Sequence, residues 1–151
     1  MSNTEFVVDK DNLEVRLTRV FKATPERLWQ AHTQADQIVQ WWSDTKVETL
    51  EVKVGGKWRF VSGEHGEHAF RGEFKELDEP NKIVRTFEYE PMAGHVMTES
   101  VTFEPVGEGE TKQTTVSKYA NVDDLTGMVE MGMREGAEDG LNRLAALVEK
   151  A

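Results

Sequence analysis

The chain has 151 residues, no cysteine, and 18 lysines and arginines against 28 aspartates and glutamates, a formal net charge of −10. That length fits one ordinary domain with area enough for an unstapled core, and the lack of cysteine excludes disulfides, thiol catalysis, iron–sulfur clusters and cysteine-held zinc. The acidic balance repels phosphate backbones and anionic lipid, so nucleic acid is not an expected partner, while seven Phe, four Trp and two Tyr make the chain too apolar for disorder.

Met1–Lys10 carries acids and no apolar h-region, which predicts no signal peptide and a cytoplasmic protein. No apolar run approaches the ~20 residues of a membrane span. Leu13–Phe21 then alternates apolar and polar residues with the two-residue period of a half-buried strand. Thr24-Pro25 reads as an N-cap followed by proline in the first turn, opening a helix to about Gln34; a second short helix spans Asp36–Trp42. Six further strands follow, Val47–Val54, Gly56–Ser62, Ala69–Leu77, Lys82–Glu90, Val96–Glu104 and Thr111–Tyr119, separated by breaks short enough for hairpins. From the Asn121 cap the pattern stays helical to about Glu149 with no proline to interrupt it. The expected architecture is a single α+β domain over residues 1–151, with seven antiparallel strands and most of the helix on one side.

Val129, Met133, Ala137, Leu141, Leu144 and Val148 form one stripe on that final helix, which must face the sheet. Glu130, Glu138, Asn142 and Glu149 fall to a flank or behind, as a solvated face. Gly127, Gly132, Gly136 and Gly140 interrupt the same segment, each at a cost of roughly 0.8–1 kcal/mol relative to alanine. Two explanations fit: close backbone packing of helix on strand, or deliberate empty volume between helix and sheet. Met128, Met131 and Met133 border this region and suit either a core or an adaptable apolar wall.

Trp58 with Phe60, Phe70 with Phe74, and Phe87 with Tyr89 enrich one sheet face in rings. Extending the same period puts Arg85 and Glu99 inside as a candidate ion pair, and Gln113, Thr115 and Ser117 on an inner face. The Glu64-His65-Gly66-Glu67-His68 run lies in a loop without the fixed helical spacing of a zinc site, and Gly55-Gly56-Lys57 lacks the rest of a phosphate loop. No metal, no cofactor and no catalytic residue are expected.

Val20-Phe21-Lys22-Ala23-Thr24-Pro25, Leu28-Trp29, Trp41-Trp42 and Gly55-Gly56-Lys57-Trp58-Arg59-Phe60 come in an order and spacing that continue through Glu79-Pro80-Asn81-Lys82-Ile83-Val84. With Phe103-Glu104-Pro105-Val106-Gly107, Gly132-Met133-Arg134-Glu135-Gly136 and Leu141-Asn142-Arg143-Leu144, they resemble the AHSA1-like branch (activator of Hsp90 ATPase, C-terminal-domain-like) of the START/Bet v 1-like, or SRPBCC, superfamily. The resemblance implies a helix-grip fold, a seven-stranded sheet curled around the long C-terminal helix and enclosing a hydrophobic cavity. Function transfers less directly, since one scaffold hosts many tasks.

The expected function is non-enzymatic binding of a small aromatic or lipid-like molecule, as carrier or sensor, with a role in stress response. Trp41, Trp58, Phe60, Phe70, Phe87, Tyr89, Met128, Gly132, Met133 and Gly136 supply the apolar site, and Arg85 and Gln113 orient the ligand. The resemblance also departs at Arg85, where relatives usually show an apolar or aromatic residue, at Gln113, where an aliphatic one is common, and at Gly136-Ala137, where many carry a Gly-Trp pair; the missing Trp is expected to enlarge the pocket, and Arg85 to favour anionic or carbonyl-bearing ligands. The alternatives are a module that activates a chaperone ATPase of the Hsp90 type, or an enzyme of cyclase or hydrolase type.

Overall fold

The computed structural model describes residues 4–42 and 45–149; Met1–Asn3 of the acidic start therefore lie outside the described residues. The chain opens with a hairpin of β1 (Glu5–Asp9) and β2 (Glu14–Phe21), Glu5 opposite Thr18 and Asp9 opposite Glu14. Asn12 closes its turn by donating from its backbone N–H and Nδ2 to Asp9 at 3.1 and 2.8 Å. Leu13 takes a left-handed φ of 58° in that turn, so the strand expected from Leu13 starts one residue later. β1 is an eighth strand beside the seven expected. Three consecutive apolar residues, Phe6-Val7-Val8, blur its alternation, and Val7 points outward on this edge strand at 52% exposure.

α1 (Pro25–Thr33) starts as its residues dictate, with the Thr24 hydroxyl accepting from the Arg27 N–H at 3.2 Å. α2 (Ala35–Trp41) follows at once. β3 (Thr45–Leu50), β4 (Lys57–Ser62), β5 (His68–Asp78), β6 (Lys82–Tyr89), β7 (Met97–Gly107) and β8 (Glu110–Lys118) then form a meander. The sheet order β1-β2-β8-β7-β6-β5-β4-β3 is antiparallel throughout. Thus α1 and α2 carry the chain from β2 to the far edge. On β5, Gly72 faces Trp58, and a Cβ there would lie 1.9 Å from the Thr86 carbonyl oxygen. The missing side chain lets the Trp58 indole N–H donate to that oxygen at 3.2 Å.

The C-terminal segment is not the one continuous helix expected from Asn121 to Glu149. It consists of α3 (Val122–Glu130) and α4 (Met133–Val148), with Gly132 between them at φ +88°. The Met131 and Gly132 N–H groups turn back onto Gly127 and Val129 carbonyls, ending α3, and the Gly132 carbonyl accepts from Gly136 to start α4. Only glycine adopts this conformation without strain, so the break is written in residue 132 although no proline marks it.

Two buried clusters hold the layers. The larger joins Leu141, Leu144, Ala145 and Val148 of α4 to Leu28 and Ile38 of α1 and α2 and to Phe21, Ile83, Val101 and Phe103 of the sheet. The smaller gathers Val15, Met97, Tyr119 and Leu125 under α3. Between them, the first half of α4 is only partly buried. Among the described residues no helix is long and apolar enough to cross a membrane.

Gly132→Ala should lower Tm, because a left-handed alanine costs roughly 1–2 kcal/mol, or about 2–4 °C per kcal/mol in a domain of this size. Gly127→Ala, at a helical position where a Cβ meets no atom within 4 Å, should not lower it. Thermal unfolding of both variants checks the pair; an unchanged Tm for Gly132→Ala would show that the break is not required.

Candidate functional site

A cavity of about 530 Å³ lies between the inner sheet face and the helices. Its helical side is formed by Met128, Met133, Gly136, Ala137, Gly140 and Leu141, and its end by His32, Trp41 and Trp42 of the α1–α2 region. Phe70 of β5 and Phe87 of β6 supply ring surface from the sheet. At Gly136 and Gly140 an added Cβ would meet nothing within 4 Å. Of the two explanations for the helical glycines, contact with a strand backbone is thus not what these positions show; they border open space.

The sheet side is polar, and the register explains why. Arg85, Glu99 and Ser117 stand opposite one another across β6, β7 and β8, with Val101–Thr115 and Phe103–Gln113 in the neighbouring rows. Arg85 is buried, 7% exposed, and its Nε lies 3.0 Å from Glu99 Oε1. Its guanidinium carbon sits 4.3 Å from the centre of the Trp58 ring and 5.9 Å from those of Trp42, Phe60 and Phe87. An isolated charge could not stay in such a place; the carboxylate and the ring faces together offset its lost hydration. Its two Nη nitrogens have no hydrogen-bond partner among the described residues.

His32 Nε2 meets Gln113 Oε1 at 2.9 Å, and its ring lies against Trp41 and Phe103 at 5.1 and 5.3 Å. Burial drives its pKa down to about 4, with Arg85 adding to the fall and Gln113 and Glu99 opposing it. What surface His32 retains faces the cavity it lines. It is neutral at pH 7, and the accepting oxygen of Gln113 places its proton on Nε2 and leaves Nδ1 as an acceptor. Tyr119 is pushed up to about 12, first by burial and then by the Glu99 charge. Its hydroxyl donates to Met133 Sδ at 3.5 Å, fixing the start of α4.

Eight of the twelve residues expected to bind ligand line this cavity: Trp41, Phe70, Arg85, Phe87, Gln113, Met128, Met133 and Gly136. Trp58 and Phe60 lie behind the wall, each 1% exposed, where Trp58 supports the Arg85 guanidinium. Tyr89 lines a separate hollow of about 70 Å³, and its hydroxyl is 2.6 Å from His68 Nδ1. Gly132 forms the helix break. His32, Trp42, Ser62, His68 and Gly140 line the cavity beyond those twelve. Glu99, Thr115 and Ser117 also do, as their place on the inward strand faces foretells. For His32 no local pattern speaks, since its neighbours come from β7, β8 and α2.

The family model described as activator of Hsp90 ATPase homolog 1-like protein matches residues 22–149. The crystal structure of protein Ms6760 from Mycobacterium smegmatis is similar over 97% of both chains, with 28% identity and a TM-score of 0.85. Protein CV1439 from Chromobacterium violaceum is similar over 92% of this chain and 99% of its own, at 27% identity and a TM-score of 0.78. PFC0360w of Plasmodium falciparum, described as an HSP90 activator, shares 27% identity over 70% of this chain and 72% of its own, with a TM-score of 0.61. Among curated proteins none matches.

Two outcomes follow from this geometry. Gly136→Ala and Gly140→Ala should each raise stability by roughly 0.8–1 kcal/mol, because the helix gains a better former and the methyl enters open space; denaturant unfolding reads this, and a loss at either site would mean the seam is filled. For His32, both folded and unfolded chains are neutral above its ordinary value of 6.5, whereas between there and about 4 only the unfolded chain takes up the proton. Its contribution to stability is therefore full above pH 6.5 and is lost as pH falls, by up to about 3 kcal/mol. Unfolding of wild type and His32→Leu from pH 7 to 4 should show their difference shrinking; a constant difference would show that His32 is not held neutral.

Proposed function

The chain belongs to the activator of Hsp90 ATPase homolog 1-like family, and from that premise we propose that it binds a small, mainly apolar, aromatic or lipid-like molecule between sheet and C-terminal helices. It acts as a non-enzymatic carrier or sensor. The observation that carries this reading is the cavity of about 530 Å³ that Gly136 and Gly140 line together with Trp41, Trp42, Phe70 and Phe87. A helix that gives up intrinsic stability at these positions and receives no packing in return leaves volume for a guest. Methionines at 97, 128 and 133 add adaptable apolar surface to it.

Catalysis is less well supported. His32 is engaged with Gln113 and His68 with Tyr89, and Glu99 is engaged by Arg85, so the titratable groups of the cavity are partnered by protein. A second reading, stimulation of a chaperone ATPase, is favoured by the family description and by the likeness to the Plasmodium HSP90 activator. The protein's effect on the ATPase rate of an Hsp90-type chaperone tests it; no change is expected if the cavity carries the function.

The neutral fluorophore N-phenyl-1-naphthylamine provides the direct test. At 100 times its Kd it should stabilise the fold by about 2.7 kcal/mol, and Gly140→Leu should weaken its binding at least about tenfold by filling the cavity. Unaltered binding to a folded Gly140→Leu protein would put the site elsewhere, and no binding by probe or apolar library would remove the carrier reading.

A further inference from the structure

The cavity holds one cation, Arg85, and one anion, Glu99, among its described lining residues, the histidines His32 and His68 aside. The two are already joined at 3.0 Å. Their charges cancel inside the walls, and His32 adds none because it is neutral at pH 7. A carboxylate entering this space would bring a net negative charge with no counterion left to receive it, and the chain's own −10 opposes it further. A ligand ammonium would have to share Glu99 with Arg85. A plain hydrocarbon fails for another reason: it would cover the Arg85 Nη nitrogens, which have no protein partner among the described residues, and return no hydrogen bond to them.

Resting on the cavity reading, we propose that the ligand is an uncharged aromatic compound that carries both a carbonyl and a hydroxyl group, and that carboxylic acids, fatty acids among them, are selected against. The ring sits among Trp41, Trp42, Phe70 and Phe87. The carbonyl accepts from the Nη nitrogens of Arg85, which have no partner among the described residues. The hydroxyl finds acceptors in Glu99, Ser117 or the free Nδ1 of His32. Glu99 is thus the residue that sets specificity: by pairing with Arg85 at 3.0 Å it makes the buried cation one half of a net-neutral ion pair whose Nη groups still donate hydrogen bonds. The sequence alone leaves anionic and carbonyl-bearing ligands open; the ion pair decides between them.

A matched set on one skeleton tests this by calorimetry at neutral pH: a hydroxynaphthyl methyl ketone, the corresponding hydroxynaphthoic acid, the methyl ester of that acid, and ethylnaphthalene. Wild-type protein should bind ketone and ester at least about tenfold more tightly than the acid or the hydrocarbon, a gap on the scale of one charge or one unpaired polar group. Glu99→Gln keeps the side chain's size and an acceptor but frees the Arg85 charge, so the acid should gain at least about tenfold and overtake the ketone. An acid that binds wild type as tightly as its ester, or a folded Glu99→Gln protein with an unmoved acid-to-ketone ratio, overturns the proposal. The ester-against-acid comparison needs no variant, so it decides even if Glu99→Gln does not fold. Binding of N-phenyl-1-naphthylamine without any of the four compounds would overturn this ligand class and leave the cavity reading standing; binding of none of the five would overturn both.

Discussion

Along α4 one half of the helix is packed and the other is held off, and the cavity depends on that division. Leu141, Leu144, Ala145 and Val148 are clamped between the sheet and the two N-terminal helices, while Leu125 anchors α3 in a separate cluster with Val15, Met97 and Tyr119. The segment between is pinned at both ends and puts Gly136 and Gly140 on the lining of the cavity. The left-handed turn at Gly132 separates α3 from α4. Each helical glycine costs roughly 0.8–1 kcal/mol, a sizeable sum beside a domain stability of ~5–15 kcal/mol.

The interior so formed is apolar on one side and polar on the other. Strand register puts Arg85, Glu99 and Ser117 in one row, and the neighbouring rows contribute Thr115 and Gln113. A buried arginine is tolerable here because its charge is balanced at 3.0 Å and its flat face lies on the Trp58 ring. Gly72, bare of a side chain, gives the Trp58 indole room to bond the Thr86 carbonyl and so hold that ring in place. The same compensation leaves the floor of the cavity rich in hydrogen-bonding groups and poor in net charge.

Much of this is legible in the residues alone. The two-residue period orients Arg85, Glu99, Gln113, Thr115 and Ser117 correctly because each lies on a regular strand with one covered face. It fails at Phe6-Val7-Val8, where an edge strand needs no clean alternation, and it places Trp58 and Phe60 in the cavity when they stand one layer deeper. Period tells which face a side chain is on, not how far behind a neighbour it lies. The break at Gly132 escapes a reading that looks for proline, since nothing local separates a glycine in a helix from a glycine between two. His32 escapes for a different reason: its low basicity is made by residues remote in sequence.

The most direct measurement of the central claim is a crystal structure of the ligand-free protein under xenon pressure, because dry apolar cavities take up the gas. Xenon should occupy the aromatic side of the cavity near Phe70 and Phe87, which Gly136 and Gly140 also line. A structure in which Trp42, Met128 and Met133 fold into that space, with no xenon between helix and sheet, would contradict it.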